Sequence, residues 1–477
     1  MKAINKDILK LAIPSILANI TVPIVGMVDI AVAGHLDTQA AVMIGGIAIG
    51  TMLFDLLYWN FGFLRVGTGG LTAQAFGKGD RKECATIFAR AIGISLACAL
   101  ALIAIQWIFV KAAFLVVECT PEVRALASQY FFIRIWAAPA TLSLMAFKGW
   151  FIGMQDSVSP MLTDLTVNGM NVLMSFVLAL GIKAVGYEGM GFPGIAAGTV
   201  AAQYSGLLVA VLLAVFKYRR NTFSTLSLSD LKGVFKGSET RRFFVMNTDL
   251  FVRSLCFIAI YIGFTVISAR YGDLLLAVSS IMMKLLMIFS YFTDGFAYAG
   301  EAMTGKYIGA KDAVMLRQTV KWTFVWSMGI ALIFIGIYHF AGVPLLRMMT
   351  SDVTVVEASR EYLPWLLLMP VIGCAAFTWD GIYIGATASK AIRNSMLWAV
   401  VGFTAVWFIG IACLNWLSPG IGLDSAAAGS LPASGSDVSG ATGYGRIAMH
   451  ILMTAYFAHL LARTIYLSAK YRKVVHI

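Results

Sequence analysis

Charge is what this sequence has least of. Only 13% of its 477 residues are Asp, Glu, Lys or Arg, against about a quarter in a soluble domain. With 59% hydrophobic residues and a mean hydropathy of +0.82, a soluble globular fold is excluded and an all-α polytopic membrane protein is expected. Cysteine is also sparse. The six (Cys84, Cys98, Cys119, Cys256, Cys374, Cys413) are scattered, form no Cys-x-x-Cys, and share no metal-ligand spacing with the five dispersed histidines. That excludes a disulfide scaffold and gives a metal site no support; the cysteines read as small apolar residues of helices. No Gly-x-Ser-x-Gly or His-Glu-x-x-His occurs. The nearest thing to a carboxylate dyad, Asp294 with Glu301, lies on one side of a single helix, so no enzyme and no cofactor is expected. The net charge of +12 does not imply nucleic acid, because basic residues of a membrane protein gather in cytoplasmic loops against anionic headgroups.

What is present is long apolar runs. Each helix crossing a bilayer needs about 20 apolar residues. Counting runs between polar breaks gives twelve, at 8–34, 42–75, 85–117, 122–154, 158–182, 193–217, 243–269, 274–305, 317–341, 353–387, 392–417 and 446–469. Lys2, Lys6 and Lys10 followed by apolar residues and then "AVAG" imitate a signal peptide. Pro14, Pro23 and Asp29, and the length of the run, argue instead for a retained first helix. Lys and Arg concentrate in the even loops and at both ends, as in "GKGDRKE", "KYRRN", "SKAIR" and "KYRK". The odd loops carry few, Lys183, Arg270 and Arg347 being the clearest. Both termini are therefore expected in the cytoplasm.

The longest cytoplasmic connection divides the chain into an N-lobe (1–217), a linker (218–242) and a C-lobe (243–477). A Gly/Ser-rich stretch at 418–445 reads as a disordered non-cytoplasmic loop. "LTAQAFGKGD" (71–80) resembles "MTGKYIGAKD" (303–312), and "FIGMQDSVSPM" (151–161) resembles "YIGATASKAIR" (383–393), both at an offset of 232 residues. The shared offset points to a duplicated six-helix unit. An even helix count gives both copies one topology, related by an axis along the membrane normal.

Asp29 stands out within this frame. It lies in "GMVDIAVAGHLD" (26–37), deep inside the first apolar run. An ionised Asp at bilayer depth costs about 2.5–3.5 kcal/mol on insertion scales, and protonation removes most of that cost. Such a carboxyl is suited to carrying a proton; the bland alternative is a structural hydrogen bond. Gly26 and Ala33 share its helical face and are expected to admit a neighbouring helix. Pro23 removes a backbone donor and is expected to kink the helix. On the fifth helix Asp164, Asn168, Asn171 and Ser175 fall at helical spacing on one stripe, either as partners of Asp29 or as interhelical glue. Asp55, with Asn60 five residues on, either helps line the N-lobe cavity or is solvated near the outer interface. In the C-lobe, Asp249, Arg253, Lys284, Asp294, Glu301 and Asp380 fall in or near helices. They read as ion pairs that lower each other's insertion cost, or, for Asp294 and Glu301, as a relay. Met27, Met170 and Met174 suit promiscuous binding as well as they suit lipid.

"VDIAVAGHLD", "FLRVGTGGLTAQAFGKGD", "DGFAYAGEA", "GKYIGAKD" and "DGIYIGAT" followed by "RNSM" closely resemble the multidrug and toxic compound extrusion (MATE) family, specifically its DinF-like branch. The resemblance runs in order over nearly the whole chain; the 418–445 stretch is the exception. It implies the MATE fold, twelve transmembrane helices in two six-helix bundles around a central cavity. It also implies antiport of organic, often cationic compounds against protons or sodium, with a flippase of lipid-linked cargo as the alternative. Asp29 matches the family's first-helix coupling acid, Asn171 an asparagine near the ion site, and Thr199 in "GIAAGT" a sixth-helix threonine there. Where many relatives carry an Asp one turn after that asparagine, this chain has Ser175. A sodium site loses a charged oxygen thereby, which favours protons. A monomer in a bacterial inner membrane is expected, its partners a small organic substrate and the bilayer.

Overall fold

The computed structural model describes residues 2–34, 40–117, 119–182, 186–225, 233–235, 238–350, 352–417 and 438–474. Nearly all of them are helical. The helices are α1 (Lys2–Gly34), α2 (Ala40–Trp59), α3 (Phe63–Gly77), α4 (Arg81–Val116), α5 (Pro121–Arg134), α6 (Ala138–Gly153), α7 (Val158–Leu180) and α8 (Phe192–Tyr218). They continue as α9 (Ser238–Ala269), α10 (Asp273–Gly309), α11 (Ala313–Met349), α12 (Val353–Arg360), α13 (Leu363–Gly385), α14 (Ser389–Leu417) and α15 (Val438–Val474). Among the described residues β structure is limited to one bridge, Ile182 with Tyr187.

Eleven of the described segments are long and apolar enough to cross a membrane, α2 with α3 and α5 with α6 each counting as one. α1, with 33 residues, reaches about 50 Å at 1.5 Å per residue and is the twelfth. The chain is a multi-pass membrane protein. Its outward helix faces bear this out: Trp107, Ile108, Leu115, Phe216, Phe340, Phe408, Trp416 and Ile465 are exposed, as lipid rather than water demands.

Several boundaries fall inside the expected runs. A 3-10 turn at Asn60–Gly62 separates α2 from α3. Another at Ile135–Ala137 precedes α6, whose second residue is Pro139; proline has no N–H to continue the preceding helix. The run expected at 353–387 breaks at Glu361 and Tyr362, just before Pro364, for the same reason. Of the stretch expected as a loop, 418–437 lies outside the described residues, whereas 438–445 is helical and opens α15. Tyr444 is buried there and donates to Asn415 Oδ1 at 2.5 Å. That anchorage overrides the loop-like composition.

The chain packs as two units. One comprises Met1–Phe251, Tyr298–Leu316 and Ile384–Thr387, the other Val252–Ala297, Arg317–Tyr383 and Ala388–Ile477. In the first, α1 packs on α7, α2 on α5, α3 on α6, and α7 on α8. Its core gathers Leu53, Phe54, Tyr130, Phe131, Ile135 and Ile195, with Phe54 and Phe131 stacked at 4.6 Å. In the second, α14 packs on α15. Its core gathers Phe264, Phe289, Phe334, Tyr362, Leu366, Met453 and Tyr456.

Candidate functional site

The site begins with the connection between α7 and α8. Gly181 and Gly189 take φ values of +78° and +85°, in the left-handed region that glycine reaches without strain. The Ile182–Tyr187 bridge closes the turn between them, with N···O distances of 2.8 and 3.2 Å. α8 therefore returns antiparallel to α7, at very close range. A Cβ on Gly198 would lie 2.7 Å from the Ser175 nitrogen, and one on Gly194 would strike the Leu178 and Ala179 backbone. Absent side chains on one helix let two backbones touch, as in membrane helix pairs generally.

That approach brings the stripe of α7 to its partners. Asn171 Nδ2 donates to Thr199 Oγ1 of α8 at 3.0 Å, and Thr199 donates in turn to the Ile195 carbonyl at 3.3 Å. Ser175 Oγ donates to Asp29 Oδ1 of α1 at 3.1 Å. Asn168 Nδ2 donates to Thr21 Oγ1 of α1. The pairings Thr21–Asn168 and Asp29–Ser175 advance together, so α1 and α7 run parallel along the stripe. Asp29 is 6% exposed and Ser175 is fully buried. Among the described residues Ser175 is the one hydrogen-bond donor to Asp29. An ionised carboxylate offers about four acceptor sites, and the described residues fill one of them. Among the described residues the Oδ1 of Asn171 is likewise buried without a partner.

The remaining expected residues spread more widely. Asp164 opens the stripe but pairs with Lys148 of α6 at 2.7 Å. Asp55 is exposed on α2, and Asn60 Nδ2, just past the end of α2, donates to the Leu56 carbonyl of that helix at 2.6 Å. Pro23 is exposed within a continuous α1. Gly26 does not admit a neighbour, because nothing lies within 4 Å of the place its Cβ would take. The close approach occurs on α8 instead. The side chain of Met27 lies outside the described residues; Met170 and Met174 are half-buried on α7. Glu301 of α10 is fully buried and accepts from Arg65 of α3 at 3.1 Å. Asp294 is half-buried on the same helix, Lys284 is exposed, and Asp249 is buried on α9. Asp380 pairs with Arg253 and Arg463.

Arg134 escaped the sequence reading. It lies at the end of α5, donates to Tyr130 Oη at 3.1 Å and stacks over Phe54 at 4.8 Å. Its charge acts on both Asp29 and Asp55. A lone arginine inside an apolar run is the signal that marks it.

Many membrane-length helices, a buried polar stripe, and an acid with one hydrogen-bond donor among the described residues have the outline of a secondary transporter. The MatE family model matches residues 14–177 and 250–409, and the chain belongs to the MatE family, whose members are transporters rather than enzymes. It is 32% identical over 415 residues to DNA damage-inducible protein F of Escherichia coli K12, covering 87% of this chain and 86% of that protein. This bears out the DinF-like resemblance. It is 23% identical over 436 residues to the probable multidrug resistance protein NorM of Photorhabdus laumondii, at 88% and 90% coverage. Among solved structures, a MOP superfamily transporter from Pyrococcus furiosus superposes with a TM-score of 0.76, at 16% identity, over 99% of this chain and 96% of that one. An outward-facing multidrug resistance MATE transporter matches with the same score, identity and coverage. These structural matches establish the MATE fold.

Proposed function

We propose that this protein is a proton-coupled exporter of organic cationic or amphipathic compounds, and that Asp29 is its coupling acid. The observation that supports this most is the poverty of hydrogen bonding at Asp29. With one donor among the described residues, and the Arg134 charge acting on it without a hydrogen bond, this buried carboxylate still gains from a proton, a cation or water. Sodium asks for several oxygens, charged ones included. The groups next along the stripe are a hydroxyl at Ser175 and an amide at Asn171, which bonds Thr199. One carboxylate and a hydroxyl donor fit a proton better than a sodium ion.

In this reading Asp29 ionises when the site opens to water and protonates from the outside. Protonation cancels the charge that held α1 and α7 around a solvated group and competes with a cationic substrate. The packing of α1 along α7 carries the change down the helix, with Pro23 as its bending point. The organism's inner membrane, cytoplasmic termini, a monomeric state, and lobes bounded at 217 and 243 belong to the same proposal. Drug efflux from proteoliposomes under an imposed pH gradient tests it. Wild type is expected to respond to the pH gradient and not to sodium alone; a response to sodium alone would overturn the choice of ion.

A further inference from the structure

The second unit buries a carboxylate supplied with more positive charge than it needs. Asp380 of α13 accepts on one oxygen, Oδ2, from Arg253 Nη2 of α9 at 2.7 Å and from Arg463 Nη2 of α15 at 2.5 Å. Arg463 is 1% exposed, and the Arg253 side chain is 25% exposed, which gives the cluster one open side. Two guanidinium groups against one carboxylate leave a net positive charge. Each guanidinium carries five N–H donors, yet the bonds to Asp380 are the hydrogen bonds that either makes among the described residues. The Nε atoms of both arginines are buried without partners among the described residues. His459, one turn before Arg463 on α15, is 1% exposed with Nδ1 unpartnered, and Tyr456 packs against its ring at 4.6 Å. Phe377 lies beneath the Arg463 guanidinium at 5.8 Å.

One arginine already balances the charge of Asp380, whose Oδ1 is buried without a hydrogen-bond partner among the described residues. A second buried guanidinium adds desolvation cost without a matching anion, and buried donors left open add more. Planar forks with free edges match the two oxygens of a carboxylate or phosphate. We propose that Arg253, Arg463 and Asp380 form an oxyanion site, entered past Arg253, for the carboxylate or phosphate headgroup of an amphipathic compound. Asp380 is its fixed counter-charge: it holds both guanidinium groups in place and makes the empty site tolerable. The site does not depend on proton coupling at Asp29, because binding is measured without any gradient.

Three probes with one alkyl chain separate the headgroups: laurate, dodecyl phosphate and dodecyltrimethylammonium, each radiolabelled. Their equilibrium binding is measured on the full-length protein in phosphatidylcholine nanodiscs. Saturable binding of the two anions is expected. Arg253→Gln is expected to weaken it about tenfold, the worth of one charge-assisted hydrogen bond. Asp380→Asn is expected to tighten it by a similar factor, because it removes the competing acceptor and raises the net charge. Adding phosphatidylglycerol to the nanodisc distinguishes the sources. Loss of bound laurate as that lipid rises identifies a lipid headgroup as the occupant; unchanged binding identifies a free compound. Either result keeps the oxyanion site. Anion binding that is absent, or equal in wild type and both variants, overturns it and leaves a structural triad, as does loss of dodecyltrimethylammonium binding in Asp380→Asn without a gain for anions. Arg253, the more exposed partner, supplies the test if Asp380→Asn fails to yield monodisperse protein.

Discussion

In the proposed mechanism, Ser175 is the residue on which the choice of coupling ion turns. Its hydroxyl is the donor that the structure places on Asp29, at 3.1 Å. Replacing it by Ala removes one hydrogen bond to a buried charged group, worth roughly 1.5–3 kcal/mol, and is expected to weaken proton-driven efflux without abolishing it. Ser175→Asp restores a second carboxylate beside Asp29. That variant is expected to gain sodium-stimulated efflux, measured under a sodium gradient at symmetric pH; if sodium has no effect on it, the hydroxyl does not decide the ion. A second residue-scale test lies outside the membrane spans. Asp156, in the turn before α7, accepts from the Ser159 hydroxyl at 2.6 Å, the Ser159 N–H at 3.0 Å, Lys217 Nζ at 2.9 Å and Tyr218 Oη at 3.0 Å. Burial alone would raise its carboxyl; the Ser159 hydroxyl, Lys217 and the Ser159 N–H outweigh it and hold the carboxyl below its ordinary value. The folded value lies below the unfolded one of about 3.9. The stabilisation is therefore complete above that pH and is lost as pH falls through the folded value. Asp156→Asn is expected to lower the melting temperature at neutral pH, by roughly 1–3 kcal/mol of stability. Wild type and variant should then converge once pH falls below the folded value.

The pair α7–α8 is the element that builds the site. Gly198 is its closest point, and Gly198→Leu is expected to force the helices apart and part Asn171 from Thr199. Thermal unfolding in detergent should fall well below wild type, while Gly26→Leu, where nothing lies within 4 Å of the added Cβ, should leave it unchanged. Equal losses would mean that the close crossing does not support the fold. This contrast also shows how far the sequence could be read. The apolar runs were legible because a bilayer imposes length on every helix. The stripe was legible because Asn168, Asn171 and Ser175 keep helical spacing. Small residues are common in membrane helices, and composition does not say which of them meets a neighbour; Gly26 and Gly198 look alike until packing separates them. The breaks at Asn60–Gly62 and before Pro364 were hidden inside apolar runs whose hydropathy does not change across them.

For the whole molecule, family and fold were readable because the motifs recur in order along the chain. The charged pairings were not. Asp380 meets Arg253 across 127 residues and Arg463 across 83, and no local pattern selects those partners from the other basic residues. Arg463 and Arg134 are each marked as sequence by being lone arginines in apolar runs, but nothing local names what they meet. Their partners emerge only when the helices assemble. If both proposals hold, the acid of the first unit and the arginine-rich cluster of the second serve two different binding chemistries.

The central claim is that Asp29 carries the coupled proton. The most direct measurement is efflux of a fluorescent organic cation from proteoliposomes under an imposed pH gradient, comparing wild type with Asp29→Asn at equal reconstitution. Proton-driven efflux in wild type and none above background in the variant is the predicted result. Full efflux from Asp29→Asn would contradict it and move the coupling to another acid.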